Sequence, residues 1–271
     1  MPIISLAALT VLDAGPAGHI RAAKAAGFSH AGLRLQPLLA TDERIAGSRD
    51  KERAIEALLA ETGVKPLEIG VFPITPDMEV DTFAPVLGFS HRIGAQFVTC
   101  PVEDMHKQRR LETFRRLCDL AITCGLEALV EFNPYSGCKT LGEAVELVQE
   151  SGAENARLLI DVLHLSRSGG SPDDLASIDP GLIALVHLCD ALPPPPTASM
   201  SAEELRKESR TARLYPGEGS LWLGELLAAI PSETPLSIEA PSAAHAHLPP
   251  EDRARAAMLA TRSLLGRLGR G

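Results

Sequence analysis

The sequence predicts a (β/α)8, or TIM, barrel, and three observations lead there. Eight short apolar runs recur along 271 residues, spaced widely enough for a helix between neighbours. Several of the stretches between them carry the apolar spacing, caps and terminal glycines of amphipathic helices. No GxGxxG loop follows the first run, as the rival doubly wound sheet would usually have. A chain of this length forms an α/β barrel as one domain, and neither a repeat nor a boundary interrupts it, so a single domain over 1–271 is expected.

The strand candidates are "IISLAA" (3–8), "AGLRL" (31–35), "PLEIGVF" (66–72), "AQFVTC" (95–100), "EALVEF" (127–132), "RLLIDV" (157–162), "ALVHLC" (184–189) and "PLSIEA" (235–240). Most are near-continuous aliphatic runs, as expected of parallel strands covered by helices. Between them, "PAGHIRAAKAAG" closes on Gly27 as a C′ glycine. The stretch 41–63 sets Ile45, Ile55, Leu58 and Leu59 against a charged face. "KTLGEAVELVQESG" opens with a Thr140/Glu143 capping box, "SPDDLASI" has Ser171 as N-cap with Pro172 after it, and a last helix covers about 250–267. One connection is out of scale. Residues 191–215 separate strand seven from "PGEG", where such folds use about 2–6 residues. The segment holds its own helix start, Ser201 with Glu204, and would lie over the C-terminal face of the barrel as a lid or substrate-contacting insertion.

Composition narrows the function. Aromatics are 4% against 45% apolar residues overall, so aliphatic packing makes the core. The net charge of −9 argues against a nucleic-acid partner, and no run approaches the about 18 apolar residues of a membrane span. The N-terminus lacks the basic start of a signal peptide. Five scattered cysteines form no CxxC pair, and reduced thiols in a cytoplasmic protein are the expectation.

Four consecutive strand ends carry residues of metal-ligand type: Glu131 in "LVEFNP", Asp161 in "LIDVLH", His187 in "LVHLCD" and Glu239 in "LSIEAPS". Strand ends converge on one mouth in a barrel. Three carboxylates gathered there repel one another without a cation. A donor set of three carboxylates and one imidazole favours Mn²⁺ or Mg²⁺, with Co²⁺ or Zn²⁺ also compatible. Each residue has a plainer alternative: an ion pair for either glutamate, a cap for Asp161, a satisfied core histidine for His187, a loop hydrogen bond for His164. Asp190 reads equally as a partner to the cluster or as a strand end.

"EFNP", "DVLH", "VHLCD", "PGEG" and "SIEAP", in this order, resemble the xylose-isomerase-like TIM-barrel superfamily over nearly the whole chain. That group includes sugar and sugar-phosphate isomerases and epimerases, inosose and dehydroshikimate dehydratases, and endonuclease IV. The resemblance implies one divalent metal on Glu131, Asp161, His187 and Glu239. It implies Glu131 and Glu239 as acid and base in proton transfer through an enediolate, and His164 against a substrate oxygen. Arg213 occupies the position of an arginine before the "PGEG" turn that would reach a substrate oxygen or phosphate; its alternative is pairing with Glu203, Glu204 or Glu208. The implied activity is isomerisation or epimerisation of a small sugar or polyol-like substrate by a homo-oligomer, with dehydration of an inosose or dehydroshikimate-like substrate as the alternative. The endonuclease branch needs more histidines than this mouth offers. Arg34 stands where the family often has glutamate, which would suit a more anionic ligand. Phe72 and Tyr135 are candidates for the pocket wall.

Overall fold

The computed structural model describes residues 2–37, 42–193 and 200–270. Eight strands close in sequence order into a barrel: β1 (Ile4–Leu6), β2 (His30–Leu33), β3 (Lys65–Ile69), β4 (Phe97–Pro101), β5 (Glu127–Glu131), β6 (Ala156–Asp161), β7 (Ile183–Leu188) and β8 (Leu236–Ile238). All neighbours are parallel, and β8 returns to β1 with Ile4 opposite Leu236. The outer layer among the described residues comprises α1 (Gly15–Ala26), α2 (Arg49–Thr62), α3 (Ala84–Arg92), α4 (Lys107–Ile122), α5 (Leu141–Ser151), α6 (Val162–Arg167), α7 (Pro172–Ala176), α8 (Ala202–Thr211), α9 (Leu223–Ala229) and α10 (Pro250–Arg267). No described helix is long and apolar enough to cross a membrane.

The expected caps form. Gly27 takes the left-handed conformation that ends α1, at φ 80°. The Thr140 side chain accepts from Glu143 N at the start of α5. Ser171 and Ser201 open α7 and α8 with reciprocal capping boxes. Strands are shorter than the apolar runs that announce them. The run 3–8 gives only Ile4–Leu6, because the chain turns into a 3₁₀ stretch from Ala8 to Ala14. The run 66–72 gives a strand ending at Ile69. Beyond it Gly70 N makes a last bond to the Leu33 carbonyl of β2, and Phe72 N and Ile74 N donate to Thr99 and Pro101 carbonyls on the β4 side.

Side chains two apart on a strand share a face. Leu129, Leu159 and Leu185 pack with Leu67 and Phe97 in a small apolar cluster separate from the main core. Glu131, Asp161 and His187 follow two residues later on the same faces, directly above it. The barrel is therefore closed by aliphatic packing below and polar at its C-terminal mouth. The seam between β8 and β1 is tied by Thr10, whose Oγ1 donates to the Ile238 carbonyl at 2.7 Å and accepts from Ala240 N at 3.0 Å.

Candidate metal centre

Glu131, Asp161, His187 and Glu239 each offer a ligand atom, and these atoms lie within 4.8 Å of one another. Asp161 and His187 are opposite each other in the β6–β7 register. Glu131 ends β5, and Glu239 is the residue after β8. His187 Nδ1 lies 3.4 Å from Glu239 Oε2 and 3.9 Å from Glu131 Oε1.

His187 is held from behind by Glu68 on β3. Its Nε2 lies 3.1 Å from Glu68 Oε2, and Ser237 Oγ donates to Glu68 Oε1 at 2.7 Å. A proton on Nε2, donated to Glu68, leaves the Nδ1 lone pair facing the acids. Nδ1 is buried and makes no hydrogen bond among the described residues. A carboxylate behind one ring nitrogen with the other left free is the arrangement that orients histidine as a metal ligand. The residues present therefore fit a divalent cation: clustered acids, an orphaned imidazole nitrogen and a carboxylate fixing its tautomer. Glu68 belongs to the site, although the sequence reading assigned it no role. Gly32 on β2 makes room for it, since a Cβ there would sit 2.4 Å from Glu68 Oε1 and 2.8 Å from its Cγ. Gly32→Ala is expected to cost about 1–3 kcal/mol through overpacking. Urea unfolding checks this, and an unchanged midpoint would mean that Glu68 can move aside freely.

The electrostatics of the protein's own groups show the same tension. Burial, and after it the charge of Glu239, pushes the Glu131 carboxyl up to about 8. Burial alone would also raise Asp161, but the Arg213 guanidinium outweighs it and holds this carboxyl well below the usual range. Glu239 is likewise lowered against its burial, by His187 and Arg213. His187 is raised, because Glu239 and Glu68 overcome the effect of burial. His164 goes the other way, since burial pushes it down to about 4.

His164 lies in α6 rather than in a loop, because Asp161 caps that helix by accepting from His164 N at 2.9 Å. Its ring packs edge-on against Tyr135 at 5.6 Å between centroids. Arg213 is 1% exposed. Its Nη1 donates to Asp161 Oδ2 at 2.6 Å, Nη2 lies 3.1 Å from Glu239 Oε2, and Nε donates to the Ser209 carbonyl at 2.7 Å. The guanidinium is thus tied to two of the clustered carboxylates, and Glu208 pairs with Arg167 instead. Asp190 faces away from the cluster and holds the "PGEG" turn, accepting from Gly217 N and Leu221 N at 3.0 Å each. Phe72 is core, packed 5.2 Å from the Phe83 ring. Glu131, His164, His187, Arg213 and Glu239 line a cavity of about 550 Å³, with Tyr135 in its wall. Of the segment 191–215, residues 194–199 lie outside the described residues, while Arg206, Ser209 and Arg210 on α8 line the same cavity.

The family model for xylose isomerase-like TIM barrels matches residues 20–264. The chain belongs to this family. Among curated relatives, inosose isomerase of Halalkalibacterium halodurans is 27% identical over 123 residues, a match spanning 45% of this chain and 40% of that protein's length. Among solved structures, the IolI protein with a binding zinc atom superposes with a TM-score of 0.79 at 17% identity, covering 98% of both chains. L-ribulose 3-epimerase superposes with a TM-score of 0.72 at 14% identity, covering 100% of this chain and 96% of the other. At these identities the structural likeness speaks for the barrel.

Proposed function

We propose that the protein is a divalent-metal-dependent isomerase or epimerase of a sugar or polyol-like substrate. The observation that carries this reading is the convergence of Glu131, Asp161, His187 and Glu239 at one open mouth, with Glu68 fixing the imidazole. The names of the similar proteins, an inosose isomerase and an L-ribulose 3-epimerase, point to the same class. The metal would be held by these four residues, with Mn²⁺ or Mg²⁺ favoured by the oxygen-rich donor set and zinc by the IolI neighbour. When bound, the cation supplies Lewis-acid stabilisation of the oxyanion that develops on the substrate carbonyl.

The remaining chemistry falls to the chain. Either Glu131 or Glu239 takes the proton from the carbon beside the carbonyl, and the released electron pair moves onto the carbonyl oxygen to give an enediolate. The other glutamate returns a proton to the opposite face or to the neighbouring carbon. His164, whose ring makes no hydrogen bond among the described residues, binds a substrate oxygen, while Arg213, buried and tied to Asp161 and Glu239, orients these two carboxylates instead of reaching the substrate as the resemblance implied. The leucine and phenylalanine layer below keeps water out of the barrel interior.

The test is deuterium exchange. The metal-loaded protein, incubated in D₂O with ketoses, inososes and cyclic keto-acids, is expected to place deuterium on the carbon beside the carbonyl of its substrate class. Dialysis against EDTA should abolish exchange, and readdition of Mn²⁺ should restore it. Exchange followed by loss of water would make the enzyme a dehydratase. No exchange with any carbon acid by metal-loaded protein would overturn the reading.

A further inference from the structure

Resting on the reading above, we propose that the substrate carries an anionic group, a carboxylate or a phosphate, held at the rim of the cavity by Arg206 and Arg210 of α8 with Arg34 at the end of β2. The proposal begins with spacing. Positions 206, 209, 210 and 213 fall three, four and seven residues apart, on one side of a helix and its continuation. All four line the cavity. Arg213, at the base, is occupied by Asp161 and Glu239. Arg210 and Arg206 stand further out, about 6 Å apart along the helix axis at 1.5 Å per residue.

The helix that presents them is fixed. Arg167 donates to both carboxylate oxygens of Glu208, at 2.8 and 2.6 Å, on its other side. Ser209 Oγ meets Tyr135 Oη at 2.8 Å, and Arg213 Nε reaches back to the Ser209 carbonyl. α8 is thereby tied to α6, to the loop after β5 and, through the Ser209 carbonyl, to the buried Arg213.

Arg206 and Arg210 are not neutralised by the acids of their own helix. On α8, Glu208 is bound to Arg167, and Glu204 caps the helix by accepting from Ser201 N at 2.7 Å. Among the described residues neither Arg206 nor Arg210 has an ion-pair partner. The Arg206 guanidinium lies 4.9 Å over the Tyr135 ring, which orients it without cancelling its charge. Arg34 is paired with Asp42, its Nη1 donating to Asp42 Oδ2 at 3.5 Å, while its Nε is buried without a hydrogen bond among the described residues. Besides Glu68 and the clustered acids, the described lining of this cavity contains Glu103, and Asp13, Asp42 and Glu43 line the adjoining cavity that Arg34 and Arg210 also border. A chain of net charge −9 thus directs two guanidinium groups without an ion-pair partner among the described residues, those of Arg206 and Arg210, toward one cavity whose floor is acidic.

Neutral sugars are held by hydroxyl-matching donors and acceptors. A guanidinium fork matches the paired oxygens of carboxylate or phosphate, and its charge goes unused on a neutral polyol. The floor therefore takes the carbonyl end of the substrate and the rim takes an anion at its far end.

The test compares D-fructose, D-fructose 6-phosphate and D-fructuronate in the deuterium-exchange assay with Mg²⁺-loaded wild type and R206A/R210A. The wild type is expected to exchange at least one anionic member with kcat/KM at least 10-fold above D-fructose. R206A/R210A should remove most of that preference by raising KM while leaving kcat for the anionic member nearly intact. Preference for the 6-phosphate or for the hexuronate identifies which anion the rim reads. Equal kcat/KM for all three, or an anionic preference that survives in R206A/R210A, overturns the proposal. A second arm needs no turnover: titration calorimetry with magnesium sulfate, sulfate being a poor ligand for Mg²⁺. Wild type should bind sulfate at least 10-fold more tightly than R206A/R210A, and equal affinity overturns the proposal. Absence of exchange with these three and with the wider panel of ketoses, inososes and cyclic keto-acids, together with sulfate binding that depends on the two arginines, would reject the isomerase reading and leave the anion subsite standing.

Discussion

E131Q and E239Q are each expected to lower turnover at least about 100-fold while the protein still takes up its cation, the lower range for losing a general acid or base. Glutamine keeps the size of glutamate and one carbonyl oxygen, so the cavity and one ligand atom survive while basicity is lost. The two glutamates are not equivalent. Glu239 faces Arg213 Nη2 at 3.1 Å as well as His187, so E239Q also weakens an ion pair. Glu131 has no arginine within ion-pair distance among the described residues, and its burial already favours the neutral form. E131Q should therefore remain folded as well as the wild type, and its lost turnover would reflect chemistry alone. If the two act on opposite faces of a substrate carbon, one variant can still exchange the substrate proton with deuterium while failing to form product. A metal-loaded variant with turnover close to wild type would reduce that glutamate to a ligand, and His164 would become the next candidate base.

The second large effect is on stability. Asp161→Ala is expected to cost about 3 kcal/mol or more in urea unfolding and to abolish metal retention measured by elemental analysis. Asp161 and Arg213 are both almost wholly buried, and their 2.6 Å contact is the shortest that Arg213 makes to a carboxylate. Removing one partner of a buried pair leaves the other charge unsolvated, at about 3–5 kcal/mol. Glu239 remains beside Arg213 and sets the loss at the lower end. The cap on α6 is lost as well, adding about 1 kcal/mol. Asp161→Asn preserves the volume and an oxygen for the cap, so it should fall between wild type and alanine. An unfolding midpoint for Asp161→Ala equal to wild type would show that Arg213 does not depend on this carboxylate.

The four clustered residues were legible because each is polar, sits at the end of an apolar run and recurs on neighbouring strands. Parallel strands with both faces covered tolerate such residues only where the strand stops. Glu68 was present in the same kind of pattern and went unread for a definite reason. The apolar run 66–72 places the strand end at Phe72, leaving Glu68 apparently in mid-strand, whereas the strand stops at Ile69 and brings Glu68 to within one residue of the mouth. After Gly70 the chain keeps its bonds to β4, through Phe72 N and Ile74 N, but makes no further backbone bond to β2 among the described residues, which no local pattern encodes. Arg213 was visible as an arginine before the "PGEG" turn. Its direction into the acids comes from backbone pairing of Leu214 with Asp190 and of Arg213 N with the Pro241 carbonyl, contacts made far along the chain. A loop position was the plainer alternative for His164, because the six-residue helix that carries it is too short for a periodic signal.

The seam tied by Thr10 has a consequence for how the centre comes into being in time. Thr10 and Ile238 are 228 residues apart, and bringing such distant segments together costs about 5 kcal/mol of chain entropy by the logarithmic loop rule. Contacts of that separation tend to form late, after local β–α units have already rewarded their own closure. Glu239 is the next residue after β8, and its N donates to the Leu188 carbonyl, so it reaches His187 when β8 docks on β7, and the Thr10 seam then holds β8 from its other edge. A folding intermediate with β8 undocked would already hold Glu131, Asp161 and His187 but lack the second glutamate. In a refolding experiment the recovery of catalytic activity should therefore lag behind helical circular dichroism and coincide with amide protection at Ile238 and Ala240.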